Sequence, residues 1–126
     1  MTDDPKHQVL YALYSEYQKD VPEMEGVDCI SVGRDVLTFN AAILKLQNEG
    51  YITGFVWHPP DTRDARRIIS ASRRNVYLTE KGVAYVEQLA DIERSASAKQ
   101  KIRALAAKAG TFGMEVLKEF LLSQLR

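Results

Sequence analysis

Leu46-Gln47-Asn48-Glu49-Gly50-Tyr51-Ile52 is the stretch whose reading decides the fold, because it carries one kind of periodicity into another. Upstream of it, Val36, Phe39, Ile43 and Leu46 form one helical stripe, and Leu37, Ala41 and Leu44 form a second beside it. This spacing predicts a helix over 33–49 with a wide apolar face, as for a helix wedged into a core. Gly50 directly follows the last periodic residue and suits the left-handed position after a helix. Downstream, Tyr51 to Trp57 is rich in aromatic and β-branched residues and predicts a strand. With the stripes turned to the core, the exposed line of the helix is Arg34, Asp35, Thr38, Ala42, Lys45 and Glu49.

Working outward, Val9, Leu10, Leu13, Tyr14 and Tyr17 recur at helical spacing and predict a first helix over 4–19. Asp4 serves as its cap, and Pro5 occupies the first helical position, where its missing N–H costs nothing. Residues 20–34 have no helical period. Val27 to Val32 partly alternates, which suggests a short strand around Cys29–Ser31. Residues 58–74 read as a long polar loop, and Asn75 to Leu78 as the strand that returns from it. Thr79 caps a third helix that runs to about Arg94 on Val83, Val86, Leu89, Ala90 and Ile92. The tail 95–126 is helical in pattern, with a bend expected at Gly110–Gly113.

This order of helix, short piece, helix, strand, loop, strand and helix resembles a winged helix-turn-helix. Two motifs carry the resemblance: Leu46 to Ile52, and Tyr77-Leu78-Thr79-Glu80-Lys81-Gly82. Both look like those of bacterial winged-helix families of the MarR and PadR kinds. Together with Tyr11-Ala12-Leu13-Tyr14 and Glu49 to Gly54 they are similar to YjcQ-like proteins, small winged-helix proteins of bacteria and phages. The resemblance covers residues 5–93. It implies an α+β fold, with a winged-helix domain at 1–94 and a helical tail at 95–126. The sequence departs from the pattern in a second helix that is short or missing between Val21 and Val32, and in a long wing.

The 126 residues suit one domain. Cys29 is the only cysteine, so no internal disulfide forms, and a lone thiol fits a reducing compartment. The polar, acidic start lacks the basic and apolar regions of a signal peptide, and charges interrupt every apolar run. The expectation is a cytoplasmic protein with no membrane contact. His7, His58 and Cys29 are isolated in sequence, and no spaced ligand set or phosphate loop occurs. Neither enzyme activity, a metal nor a cofactor is expected. Tyr11, Tyr14, Tyr17, Tyr51, Phe55 and Trp57 are read as core, although some would suit a small-molecule effector pocket.

Net charge is zero but uneven. Residues 1–30 hold two Lys against seven Asp or Glu, a net −5, and the remainder is +5. Arg63, Arg66, Arg67, Arg73 and Arg74 stand in loop 58–74 with Asp61 and Asp64, an arrangement suited to phosphate contact. The helix 33–49 is neutral along its exposed line and offers only Arg34, Thr38 and Lys45, with Asn40 beside them, for base reading. The leading expectation is a DNA-binding or transcription-regulating protein that holds duplex DNA through the arginine-rich loop. The alternative is a protein-interaction module of phage or mobile-element origin without DNA affinity.

Val116, Leu117, Phe120, Leu121 and Leu125 crowd the final turns and are expected to form a homodimer contact. Left exposed on a monomer, such a cluster is an aggregation liability. A chain truncated after Ala109 is therefore expected to be monomeric by light scattering where the full chain is dimeric. A truncated chain that stays dimeric overturns the assignment.

Overall fold

The computed structural model describes residues 4–108 and Leu122. The fold is α+β, in the order α1 (Pro5–Tyr17), α2 (Cys29–Val32), α3 (Val36–Asn48), β1 (Ile52–Thr53), β2 (Val56–His58), β3 (Ser70–Ser72), β4 (Tyr77–Leu78) and α4 (Glu80–Leu89). Short 3-10 turns at Met24–Gly26 and Ala65–Arg67 lie between them, and residues 98–108 are helical (α5). Among the described residues, no helix is long and apolar enough to cross a membrane. The expected dimer residues Val116, Leu117, Phe120, Leu121 and Leu125 lie outside the described residues.

Each helix starts where a side chain satisfies its free N–H groups. Asp4 accepts from the His7 N–H, Asp35 from Thr38 and Thr79 from Gly82. Helices α1, α3 and α4 pack around Val9, Leu10, Leu13, Tyr14, Ile43, Leu46 and Val86, all essentially without solvent contact. Tyr11 and Phe55 are buried as expected, but Tyr17 is half exposed.

The β structure is one long, interrupted hairpin. Its base pairs β1 with β4, Ile52 opposite Leu78, and its outer part pairs β2 with β3, Trp57 opposite Ala71. The single strand expected over 51–57 is thus broken at Gly54 and Phe55. Gly54 has φ +90, and a Cβ there would collide with the carbonyl of Asn75. At the break, the Gln47 side chain replaces the missing ladder. Its Oε1 accepts from the Phe55 N–H at 2.8 Å and its Nε2 donates to the Phe55 carbonyl at 3.0 Å. One amide thereby ties the hairpin to α3. The expected polar loop 58–74 in turn contains β3, since Ser70, Ala71 and Ser72 satisfy a ladder without any apolar alternation.

A second expectation is overturned at Cys29–Ser31, which is helical rather than extended. Asp28 accepts from the Ser31 N–H, and the Ser31 hydroxyl accepts from the Asp28 N–H, both at 2.9 Å. This reciprocal capping box nucleates a helix of four residues, too short to show a period. Gly33, at φ +77, ends it, so α3 begins at Val36 and not at 33.

The two sequence motifs meet in space at the foot of the hairpin. Gly50 takes φ +85, as its position predicts. The Thr79 hydroxyl donates to the Gly50 carbonyl at 2.6 Å, and the Thr79 N–H donates to the Tyr51 carbonyl at 3.1 Å. Lys81 donates to the Glu49 carbonyl at 2.7 Å and lies over the Tyr51 ring, whose other contact is a stack with Tyr85 at 4.5 Å. Gly82 sits so close to the Tyr51 carbonyl that a Cβ has no room.

On the far side of α4, Glu87 is 6% exposed and gathers a polar cluster. It accepts from the Tyr14 hydroxyl at 2.9 Å and pairs with Arg94 at 2.6 Å and Lys101 at 3.2 Å. Lys101 belongs to α5, whose Ile102 and Leu105 are fully buried. Burial alone would raise the Glu87 carboxyl. The bonds from Tyr14 and Lys101 and the charges of Lys101 and Arg94 bring it below 4.5 instead. Burial, then the bond to Glu87, pushes the Tyr14 hydroxyl strongly upward.

Two outcomes follow from this packing. Gly82→Ala is expected to destabilise by about 1–3 kcal/mol, although alanine is the better helix former by about 1 kcal/mol, because overpacking against a main-chain carbonyl wins. Urea denaturation measures it, and a stabilised variant disproves the close approach. Because the Glu87 carboxyl is lowered on folding, its contribution is present above pH 4.5 and lost as pH falls through the lowered value. Glu87→Gln should therefore cost about 2–3 kcal/mol at neutral pH and progressively less below the carboxylate range. A gap between the two proteins that stays constant with pH would show that the charge contributes nothing.

Candidate functional site

The corner between α2 and α3 owes its geometry to three short-range devices: the capping box of Asp28, the left-handed Gly33 and the cap of Asp35. Together they turn the chain tightly and leave aliphatic side chains outside. Ile30 is 85% exposed and Val36 61%, with Leu37 beside them. Across from this corner runs the outer hairpin. Its 3-10 turn, Ala65–Arg67, packs on α3 and leads into Ile68, half-buried, and Ile69, which is 86% exposed.

Between the two walls lies a groove of about 330 Å³. Asp28, Cys29, Val36, Phe39 and Asn40 line one side, and Ile68, Ile69, Ser70, Ala71 and Arg73 the other. Phe39 at its floor belongs to the core. The groove is thus continuous with the interior and bordered by aliphatic side chains in water.

The eight residues expected to contact nucleic acid fall in separate places. On α3, the exposed line is corrected. Ala42 is buried, Glu49 is bound to Lys6 at 3.0 Å, and Thr38 donates its hydroxyl to Asp35 at 2.9 Å. The outward face carries Leu37, Lys45 and Asn48 instead. The reason is the later start of the helix, which places Val36 and Leu37 in a first turn that overhangs the core. Thr38 and Lys45 share a shallow cleft with the start of α1, on the side of α3 away from the hairpin groove. Arg34 is half-buried and donates to Gln8 of α1 at 2.8 Å.

The arginines of the hairpin divide likewise. Arg73 turns inward, donating to the carbonyls of Glu25 and Val27 at 3.1 and 3.4 Å and lying over the Phe39 ring. Arg74 shares a cleft with Glu23 and Glu25. Arg63 donates to the carbonyls of Pro60 and Thr62 and covers Trp57 at 5.4 Å. Arg74 is exposed as well, and Arg66 and Arg67 stand well into solvent, their side chains 76% and 78% exposed. They share one carboxylate, Asp64, which Arg66 grips through two bonds of 3.1 Å. Those bonds hold the Asp64 carboxyl below its ordinary value.

Among the described residues, no group of three or more His, Cys, Asp or Glu is placed to hold a metal ion. His7 bridges Asp4 at 2.7 Å and the Tyr85 hydroxyl at 3.0 Å, which ties the start of α1 to α4. Ile30, Val36 and Ile69 were missed as site residues in the sequence. Val36 was assigned to the core stripe, and no local pattern separates an overhanging first turn from a buried one. No family model, curated protein or solved structure matches the chain.

Proposed function

We propose that this chain is a winged-helix module that docks a protein partner on the face formed by α2, the start of α3 and the outer hairpin. The observation that carries this reading is the aliphatic border of the groove: Ile30, Val36 and Ile69 are each more than half exposed, on elements that their caps and the Gln47 amide hold rigid. Single exposed aliphatics are ordinary, but a contiguous group around a groove marks an interaction site. The homodimer through Val116, Leu117, Phe120, Leu121 and Leu125 is part of the same proposal.

A second reading, duplex DNA held by the hairpin, rests on Arg66, Arg67 and Arg74. With Arg63 and Arg73 committed to main-chain carbonyls, Arg66, Arg67 and Arg74 remain for phosphates. The slope of log K against log salt would then be about −2.7 per protomer. Base reading from α3 has little to use beyond Lys45 and Asn48.

A photo-cross-linking residue placed at Ile69 or Val36 in the full chain is expected to give discrete protein adducts in cells. The same residue at Ala107, an exposed position of α5, should not. Ile69→Asp should remove the adduct formed from Val36 while changing stability by no more than about 0.5 kcal/mol, as for other exposed positions. Adducts to DNA alone, together with duplex binding at low salt that Arg66→Ala, Arg67→Ala and Arg74→Ala abolish, would replace this reading with the second.

A further inference from the structure

We propose that the occupant of the groove is a short apolar peptide segment whose flank is acidic, lying with its acidic end against the hairpin. This inference rests on the docking reading above and adds the chemistry of the partner to it.

The charges around the groove are not symmetric. At the α2–α3 wall the charged groups are Asp28, Arg34 and Asp35; Arg34 donates to Gln8 of α1 at 2.8 Å, and both carboxylates are committed to helix caps. Asp28 accepts from the Ser31 N–H, and Asp35 accepts from the Thr38 N–H and hydroxyl. At the hairpin wall the charged groups are Arg66, Arg67 and Arg73, with Asp64 alone to balance them. Arg73 spends its hydrogen bonds on neutral main-chain carbonyls. Arg66 takes the Asp64 carboxylate through two bonds, which leaves Arg67 at 3.8 Å from it and open to water. The hairpin wall therefore carries a surplus of positive charge that the protein itself does not neutralise.

Between these ends the surface is mixed, aliphatic at Val36, Ile68 and Ile69 and polar at Asn40 and Ser70. A groove of about 330 Å³ is at the small end for a ligand cleft, and its lining sets the aliphatic Val36, Ile68 and Ile69 among the polar Asp28, Asn40, Ser70 and Arg73. It suits an anchoring side chain more than a cofactor. Ile69, next but one to Arg67 in the chain, links the apolar wall to the cationic one. An occupant must then present aliphatic or aromatic side chains to Val36, Phe39 and Ile69, and carboxylates to Arg66 and Arg67. A nucleic acid meets the second requirement and fails the first. A basic peptide meets the first and is repelled by the second.

The test uses the full chain and short fluorescent peptides of leucine and phenylalanine flanked by glutamate. Controls carry lysine flanks, or serine in place of the apolar residues, and a duplex DNA is titrated beside them. The glutamate-flanked peptide is expected to bind, and both controls to bind at least about tenfold more weakly. Ile69→Asp should remove binding. The double change Arg66→Glu with Arg67→Glu should weaken the glutamate peptide and strengthen the lysine-flanked one, a reversal that simple loss of structure cannot produce. Equal binding of both charged peptides, still abolished by Ile69→Asp, would overturn the acidic partner and leave the docking reading standing. Failure of every peptide, or duplex DNA binding more tightly through the same arginines, overturns the proposal. Cross-links from Ile69 to protein or to DNA then decide whether the docking reading falls with it.

Discussion

The main chain at Gly50–Tyr51 can be approached closely by residues 79–82 only because Gly50 adopts a left-handed turn and Gly82 has no side chain. Everything beyond depends on that contact. Thr79 spends its hydroxyl and its N–H on this segment while its hydroxyl oxygen also caps α4. One residue thus ends the hairpin, starts the helix and bonds back to the end of α3. The contact sets α3 and α4 against each other. It also pairs β1 with β4 at the one register in which Ile52 and Leu78 are partners. The outer hairpin leaves the core at this foot and returns to α3 through Gln47, the 65–67 turn and Arg73 over the Phe39 ring.

The same geometry explains why some parts were legible in the sequence and others were not. Gly50, Asp4 and Thr79 act through local rules, a left-handed end or a cap, and each was read at its position. The stripes of α1, α3 and α4 span several turns, so their period rises above noise. Helix α2 has one turn and no period; its cause is the reciprocal bonding of Asp28 and Ser31, which partial alternation at 27–32 concealed. Strand β3 is Ser-Ala-Ser, a polar sequence whose pairing is imposed by β2 across a long loop. Ala42 lies by spacing in the stripe of Phe39, Ile43 and Leu46 and is buried with it, whereas Val36, in phase with the same stripe, is exposed because the first turn extends past the core. Of the candidate site, the arginines were legible as a cluster. Their inward turns were not, since the carbonyls that hold Arg73 lie more than forty residues away in the chain.

Those turns change the meaning of the cluster. Five arginines in one loop suggest a cationic surface, but a guanidinium carries five donors and readily braces main-chain oxygen. Arg73 fastens the returning strand to the 24–27 turn, and Arg63 closes the hairpin tip over Trp57. Such bonds retain the positive charge while fixing where it stands. The field around the groove is therefore directional, with cations on the hairpin wall and capped carboxylates on the opposite one. Electrostatic pattern of this kind selects a partner and its orientation more than it adds affinity.

Affinity must come from the aliphatic border, and the fold can carry that border in water because it is held from behind. Ile30 and Val36 sit on first turns that side-chain caps hold, Asp28 accepting from the Ser31 N–H and Asp35 from the Thr38 N–H. Phe39, one turn inside, is buried and closes the groove's floor. Moving Val36 inward would require α3 to begin earlier, and the left-handed Gly33 prevents it. The exposure is thus a consequence of backbone geometry chosen by Asp28, Gly33 and Asp35. An incoming apolar side chain meets a surface that has little conformational freedom left to lose on binding, which is the condition under which a small groove still gives useful affinity.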